Sequence, residues 1–239
     1  MTDSKHVSPD QRHIVAIGGG ILAPEVLKYT FALTGKPVPR VLVITTATGD
    51  STESQVRIFS KMAVLPCEVR TLGFFARTPP NLEELILSHD VVFIGGGNTK
   101  SMLAVWREYG VDKILREAWQ RGIVLAGSSA GGICWFDMCI TDSWDVEYTA
   151  LPALGFLKGS CCPHYDGEIG RRPLYHRLMK EAPLPAGWAI DEGVGMHFVD
   201  QKLVRVVTPR QKSAAYGVYR TADGDVTEVK MKTVFIGDQ

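Results

Sequence analysis

A chain of 239 residues, 45% hydrophobic and 22% charged, can bury a large core, and one globular domain is expected behind a flexible segment at residues 1–12. Lysine plus arginine and aspartate plus glutamate both number 26, so no net field draws nucleic acid or an anionic membrane, and neither is an expected partner. The N-terminus carries no apolar signal core, no apolar run approaches spanning length, and five cysteines without framework spacing suit a reducing compartment; a soluble, cytoplasmic protein is expected.

In chain order, strands alternate with helices. His13-Ile14-Val15-Ala16-Ile17 is a short apolar strand ending in Gly18-Gly19-Gly20, and Pro24 opens a helix through Leu33. Residues 40–45 form a second strand, followed by a helix from about Ser51 to Met62 with Ser51 or Thr52 as cap. Cys67 to Phe74 reads as a third strand and Pro80 to Ser88 as a short helix. Val91-Val92-Phe93-Ile94 is a fully apolar fourth strand that ends in Gly95-Gly96-Gly97-Asn98-Thr99, before a helical region reaching Arg121. Continuous Val/Ile/Leu runs mean strands buried on both faces, so the expected fold is an open, doubly wound, mostly parallel α/β sheet with helices on both faces. Segments near 187–190, 203–207 and 226–236 are expected to finish that sheet or to form an antiparallel edge.

The fifth strand, Ile123 to Ala126, runs into Gly127-Ser128-Ser129-Ala130-Gly131 and then the apolar, helix-compatible Gly132-Ile133-Cys134-Trp135-Phe136. A buried strand, small-x-Ser-x-small and a helix form a nucleophile elbow, which holds a serine exposed on a strained turn. Gly127 and Gly131 flank Ser129 symmetrically and favour it over Ser128, whose flanking residues Ala126 and Ala130 are also small. The plain alternative is a flexible strand-to-helix turn. In such sheets ligands bind beyond the carboxyl ends of the strands, where both glycine turns and the elbow lie.

A serine hydroxyl needs a base. Of six histidines, His6 and His13 precede the sheet, His89 ends a helix, His176 reads as a solvated helical residue and His197 as a packed strand residue. His164, in a loop after the elbow, is the candidate. Acids that would orient it occur at Asp142 and Asp145 and at Asp191-Glu192. The backbone N–H of Ala130 and one from residues 95–97 are candidate oxyanion donors. Adjacent Cys161 and Cys162 with His164 suggest a metal only weakly, since no second ligand pair has zinc spacing, and neither metal nor cofactor is expected. Gly18, Gly20 and Ala23 satisfy the dinucleotide-binding spacing, yet residues 45–48 are Thr-Thr-Ala-Thr where a ribose-binding acid belongs. A dinucleotide-binding or non-catalytic protein on the same architecture is the alternative to an enzyme.

Five motifs, Gly95-Gly96-Gly97-Asn98-Thr99, Gly127-x-Ser129-Ala130-Gly131, Ile133-Cys134-Trp135-Phe136 with Thr141-Asp142-Ser143, Cys162-Pro163-His164-Tyr165-Asp166 and Ile190-Asp191-Glu192-Gly193, occur in the order of the dipeptidase E and cyanophycinase family of serine peptidases. The chain resembles a dipeptidase E-like member from about Ile14 to Val207. The resemblance implies a class I glutamine-amidotransferase-like fold with serine in place of that fold's usual cysteine. It makes Ser129 the nucleophile, His164 the base, and Gly97 with Ala130 the oxyanion donors. It places the third acid at Asp142 or Glu192; Glu192 is favoured as the partner of His164, Asp142 is kept as an acid of undefined role, and Asp145 stays open. The implied substrate is a short peptide, by likeness to enzymes that remove an N-terminal aspartate or cut a β-linked aspartyl-arginine polymer. Asn98, Arg171 and Arg172 are the candidate substrate-binding residues, an arginine fork being suited to a carboxylate, although each arginine also reads as a solvated helix start. The chain departs from that family's pattern around residues 166–173, and homodimer formation is left open.

Overall fold

The computed structural model describes residues 11–144, 148–181 and 184–237. Asp145, one of the candidate acids, and His6 lie outside the described residues.

Strand β1 (His13–Ile17) is wholly buried, and the apolar runs β2 (Arg40–Ile44), β4 (Val91–Ile94) and β5 (Val124–Ser128) lie beside it. With β3 (Glu68–Leu72) they form a parallel set in the order β1-β5-β4-β2-β3. Side chains leave each strand alternately to the two faces, so continuous apolar sequence is what a sheet covered on both sides requires. Val15, Val41, Val43 and Phe93 enter one core with Val26, Leu27 and Phe31 of helix α1 (Pro24–Ala32) and Ile58 and Met62 of α2 (Thr52–Met62). Ile14, Leu42, Ile44 and Val92 enter the other with Ile86 of α3 (Leu82–Leu87), Trp106 of α4 (Thr99–Glu108) and Leu115 and Trp119 of α5 (Val111–Gln120). The helical stretch before Arg121 is thus two helices, parted at Gly110, whose φ of 68° suits glycine. Pro24 begins α1 where its missing N–H costs nothing, and the Ser51 hydroxyl caps α2 by accepting from the Ser54 N–H at 3.2 Å.

After the elbow the structure departs from expectation. Helix α6 spans only Ala130–Ile133, and Phe136 already begins strand β6 (Phe136–Thr141). That strand, β7 (Thr149–Pro152), β8 (Leu157–Cys162), β9 (Gly187–Ile190), β12 (Ala215–Arg220) and β13 (Val226–Lys230) build a second sheet in the order β13-β12-β9-β8-β6-β7, with α7 (Arg171–Glu181) against it. The segments at 187–190 and 226–230 therefore do not finish the first sheet. Only β10 (Gly195–Val199), β11 (Lys202–Thr208) and β14 (Thr233–Phe235) do so, β10 antiparallel to β1. One apolar cluster, holding Phe136, Cys139, Phe156 and Cys161 together with Ile14, Leu125 and Phe198, joins the two sheets. Among the described residues no helix is long and apolar enough to cross a membrane.

Candidate active site

Register places the site. Ile17 of β1 lies opposite Ser128 of β5, and Ile94 of β4 opposite Gly127, so the elbow at the end of β5 emerges between the two glycine turns. Ser129 has φ 55° and ψ −118°, a region that a side chain occupies only under strain, and its N–H is fixed to the Ile17 carbonyl at 2.9 Å. A β-carbon at Gly127 would overlap the Gly131 backbone, and one at Gly131 the Ile94 backbone. The flanking glycines thus let three backbone segments close around one residue, and that residue is Ser129, while Ser128 ends the strand.

β8 delivers Pro163 and His164 to the same strand-end surface. The His164 N–H donates to the Gly18 carbonyl at 2.7 Å and that of Tyr165 to the Ile190 carbonyl at 3.2 Å, pinning the histidine between the two sheets. The imidazole occupies the space that a Gly19 side chain would take, and a β-carbon at Gly20 would come within 2.8 Å of the Glu192 carboxylate. Of the glycines with dinucleotide-binding spacing, Gly18 is closed by the Ile190 and Asp191 carbonyls and Gly20 by Glu192, with His164 filling the space at Gly19 between them. Ser129 Oγ lies 2.9 Å from His164 Nε2, and His164 Nδ1 lies 2.8 Å from Glu192 Oε1. A carboxylate only accepts, so Nδ1 carries the proton and Nε2 is left to accept from the serine hydroxyl. Beside this chain, the N–H groups of Gly97 and Ala130 have no acceptor among the described residues. Gly97, at φ 135°, presses against the Ala47 carbonyl where a β-carbon would overlap it.

The Glu192 peptide is gripped on both sides. Its N–H donates to Asp166 Oδ1 at 2.7 Å, and Arg210 Nη1 donates to its carbonyl at 2.8 Å. Asp191 is buried and accepts from the Ala214 N–H at 2.8 Å. Burial foremost, with the Asp166 charge adding, pushes its carboxyl up to about 6, with the Ala214 bond opposing. The unfolded chain releases this proton near 3.8 and the native one near 6, so stability falls as pH rises through that window and the burden is complete above it. Asp191→Asn keeps an acceptor for Ala214, and its melting temperature is expected to match the parent at pH 4 and exceed it increasingly up to pH 7. A gain that is independent of pH would contradict this account.

Asp142 is not in contact with His164. Its half-exposed carboxylate stands 3.8 Å from Arg171 Nη2. Arg171 is itself corrected from an exposed substrate clamp to an interior anchor: it is 3% exposed, donates through Nε to Glu168 Oε2 at 2.6 Å and through Nη1 to the Ile140 carbonyl at 3.2 Å, and lies 4.3 Å from the Tyr148 ring. Burial works to raise Glu168, but the Arg171 and Tyr148 hydrogen bonds outweigh it and hold the carboxyl below its ordinary value. Arg171→Ala is expected to cost about 3 kcal/mol by stranding these partners. Thermal or denaturant unfolding measures this; a clamp would instead raise KM and leave stability unchanged.

Arg172 likewise is engaged, by Glu228, with its guanidinium 5.1 Å from the Tyr165 ring and 5.4 Å from Tyr216. Asn98 has neither end free: Oδ1 accepts from the Ser101 N–H at 2.8 Å, capping α4, and Nδ2 donates to the Ser143 carbonyl at 2.6 Å. It fixes the glycine turn that precedes it. His176 is not a solvated residue, since it bonds Glu228 Oε1 at 2.5 Å. His197 is buried as expected, and His13 sits inside β1, where its Nδ1 meets His197 Nε2 at 2.9 Å. Cys161 and Cys162 leave β8 to opposite faces, into different cores, and burial raises both thiols, that of Cys162 to about 12. Sequence reasoning passed over Asp166 and Glu168, whose Oε1 lies 4.0 Å from His164 Nδ1; the spacing of four from His164 was the available signal.

A parallel α/β sheet with a positive-φ serine at a strand end belongs to the class of serine hydrolases. Within that class the chain belongs to peptidase family S51, whose sequence model matches residues 14–206. It is 39% identical over 231 residues to YgaJ, an uncharacterized peptidase of Bacillus subtilis (strain 168), covering 95% of this chain and all of that one. It is also 32% identical over 99 residues to a probable alpha-aspartyl dipeptidase of Drosophila melanogaster, covering 40% of this chain and 41% of the relative. In fold it resembles a peptidase from an acI-B1 Actinobacterium, with TM-score 0.71, 16% identity and coverage of 94% and 96%. The putative peptidase E of Listeria monocytogenes EGD-e gives TM-score 0.64, 16% identity and coverage of 81% and 97%.

Proposed function

We propose that the chain hydrolyses short peptides as a dipeptidase E-like enzyme with an aspartyl preference, through a Ser129–His164–Glu192 triad and an acyl-enzyme. The observation that carries this reading is the continuous hydrogen-bond chain from Ser129 Oγ through His164 to Glu192, set on a strained elbow. His164 Nε2 takes the Oγ proton as Oγ attacks the peptide carbonyl, and the carbonyl oxygen gathers negative charge toward the N–H groups of Gly97 and Ala130. Glu192 stabilises the imidazolium. As the C–N bond breaks, His164 returns the proton to the leaving amine, and water then hydrolyses the ester by the same route. Asp142, three contacts from His164 by way of Arg171 and Glu168, acts on the loop rather than on the proton.

The test is a dipeptide panel of Asp-X, Glu-X, neutral-X and β-aspartyl peptides, with release of free amino acid measured. Cleavage of Asp-X above the others supports the reading. No cleavage of any member rejects the peptidase assignment, and cleavage without acidic preference rejects the aspartyl part.

A further inference from the structure

With Arg171 and Arg172 engaged elsewhere, the cationic side chains facing the nucleophile come from a different element. A cavity of about 510 Å³ opens over Ser129, within the size range of small-molecule sites. It is lined by Gly96, Gly97, Ser129, His164 and Glu192 together with Arg57 and Lys61 of α2. These two stand four residues apart, so they share one face of the helix. Ile58, between them in sequence, lies on the adjacent buried face and packs α2 against the sheet. Neither cation has an acid or hydrogen-bond partner for its side chain among the described residues. Among the described residues the one carboxylate lining the cavity, Glu192, is bonded to His164. The rest of the lining is neutral, with Ile21 and Leu22 at the first glycine turn and Ile21 82% exposed. Two unpaired cations beside apolar walls suit a ligand that carries an anionic group next to an apolar one.

We infer that Arg57 and Lys61 form the carboxylate-recognition subsite of this cleft, and that they set specificity for short peptides bearing a carboxylate near the scissile bond. This rests on the peptidase reading above. A guanidinium can take a carboxylate on two donors, and a neighbouring ammonium adds a compact second charge. The carboxylate has two sources in a dipeptide, an acidic side chain or the free C-terminus, and the probes separate them. Four peptides serve: Asp-Leu, Asn-Leu, Asp-Leu amide and Asn-Leu amide.

Binding is measured calorimetrically on Ser129→Ala protein, which needs no turnover, with and without the further pair Arg57→Gln and Lys61→Gln. Hydrolysis of the same peptides is measured with Ser129 intact. The pair of substitutions is expected to weaken Asp-Leu at least tenfold, through KM more than kcat, and to leave Asn-Leu amide within about twofold. Sensitivity retained by Asp-Leu amide assigns the subsite to the side chain, and sensitivity retained by Asn-Leu assigns it to the C-terminus. The swap Arg57→Lys with Lys61→Arg restores most of the affinity. Equal Kd values with and without the pair, equal losses on all four peptides, or no binding of any to the Ser129→Ala protein overturns the subsite. If the peptides bind in this pattern and none is cleaved when Ser129 is present, the subsite stands and the peptidase reading falls.

Discussion

Ser129→Ala is expected to abolish peptide hydrolysis, with kcat lower by a factor on the order of 10⁴ to 10⁶, because among the described residues no other hydroxyl meets His164 Nε2. A fluorophosphonate probe should label the parent and not the variant; labelling that persists in Ser129→Ala sinks the nucleophile assignment. The comparison with Ser129→Gly is more discriminating, because both variants lose the hydroxyl and they differ only by the β-carbon that strains the backbone at this φ. At an ordinary position glycine is less stable than alanine by roughly 0.5 to 1 kcal/mol, since it gives up more freedom on folding. At φ 55° and ψ −118° alanine carries a strain of about 1 to 3 kcal/mol that glycine does not. The order should therefore invert, with Ser129→Gly the more stable by about 1 kcal/mol in denaturant unfolding. Alanine proving more stable than glycine would mean that the elbow is not strained.

The strained turn was legible because strain leaves a mark in sequence. Gly127 and Gly131 are dictated by backbone overlaps that any side chain would create, so the chain shows small residues at both places and the nucleophile between them. The parallel strands were legible for a related reason, since burial on both faces admits only apolar side chains from Val41 to Ile44 of β2 and at each position of β4. The second sheet was hidden because its strands are half covered. β7 and β13 have no fully buried residue, and β6 follows so closely on the elbow that Cys134-Trp135-Phe136 reads equally well as the continuation of a helix. Charges were the least legible. Arg171 stands in Gly-Arg-Arg-Pro, a pattern that looks solvated, and its burial is created by Glu168, Ile140 and Tyr148 arriving from other segments. Arg57 and Lys61 sit on the polar side of an amphipathic helix and gain meaning only because the register of β1, β4 and β5 places the elbow under that helix.

Among the three acids around His164, Glu192→Gln is expected to give the largest loss, about 10³- to 10⁴-fold in kcat with KM little changed. Proton placement at His164 matters here more than charge. Glu192 Oε1, 2.8 Å from Nδ1, can only accept, which forces the tautomer whose Nε2 is free to take the serine proton. A glutamine at 192 can turn its amide and donate to Nδ1, which moves the imidazole proton to Nε2 and leaves Ser129 facing a donor. Asp142→Asn touches neither nitrogen and should cost no more than about tenfold, felt through Arg171. Glu168 is the informative intermediate, 4.0 Å from Nδ1 and kept charged by Arg171 and Tyr148. If its charge supports the imidazolium once Glu192 is neutral, Glu168→Gln should matter more in the Glu192→Gln background than alone, and a double-mutant cycle on kcat measures that coupling. A loss at Asp142→Asn as large as that at Glu192→Gln would move the third acid to the loop after β6. In that case the bond between His164 and Glu192 would be a resting contact that substrate binding replaces.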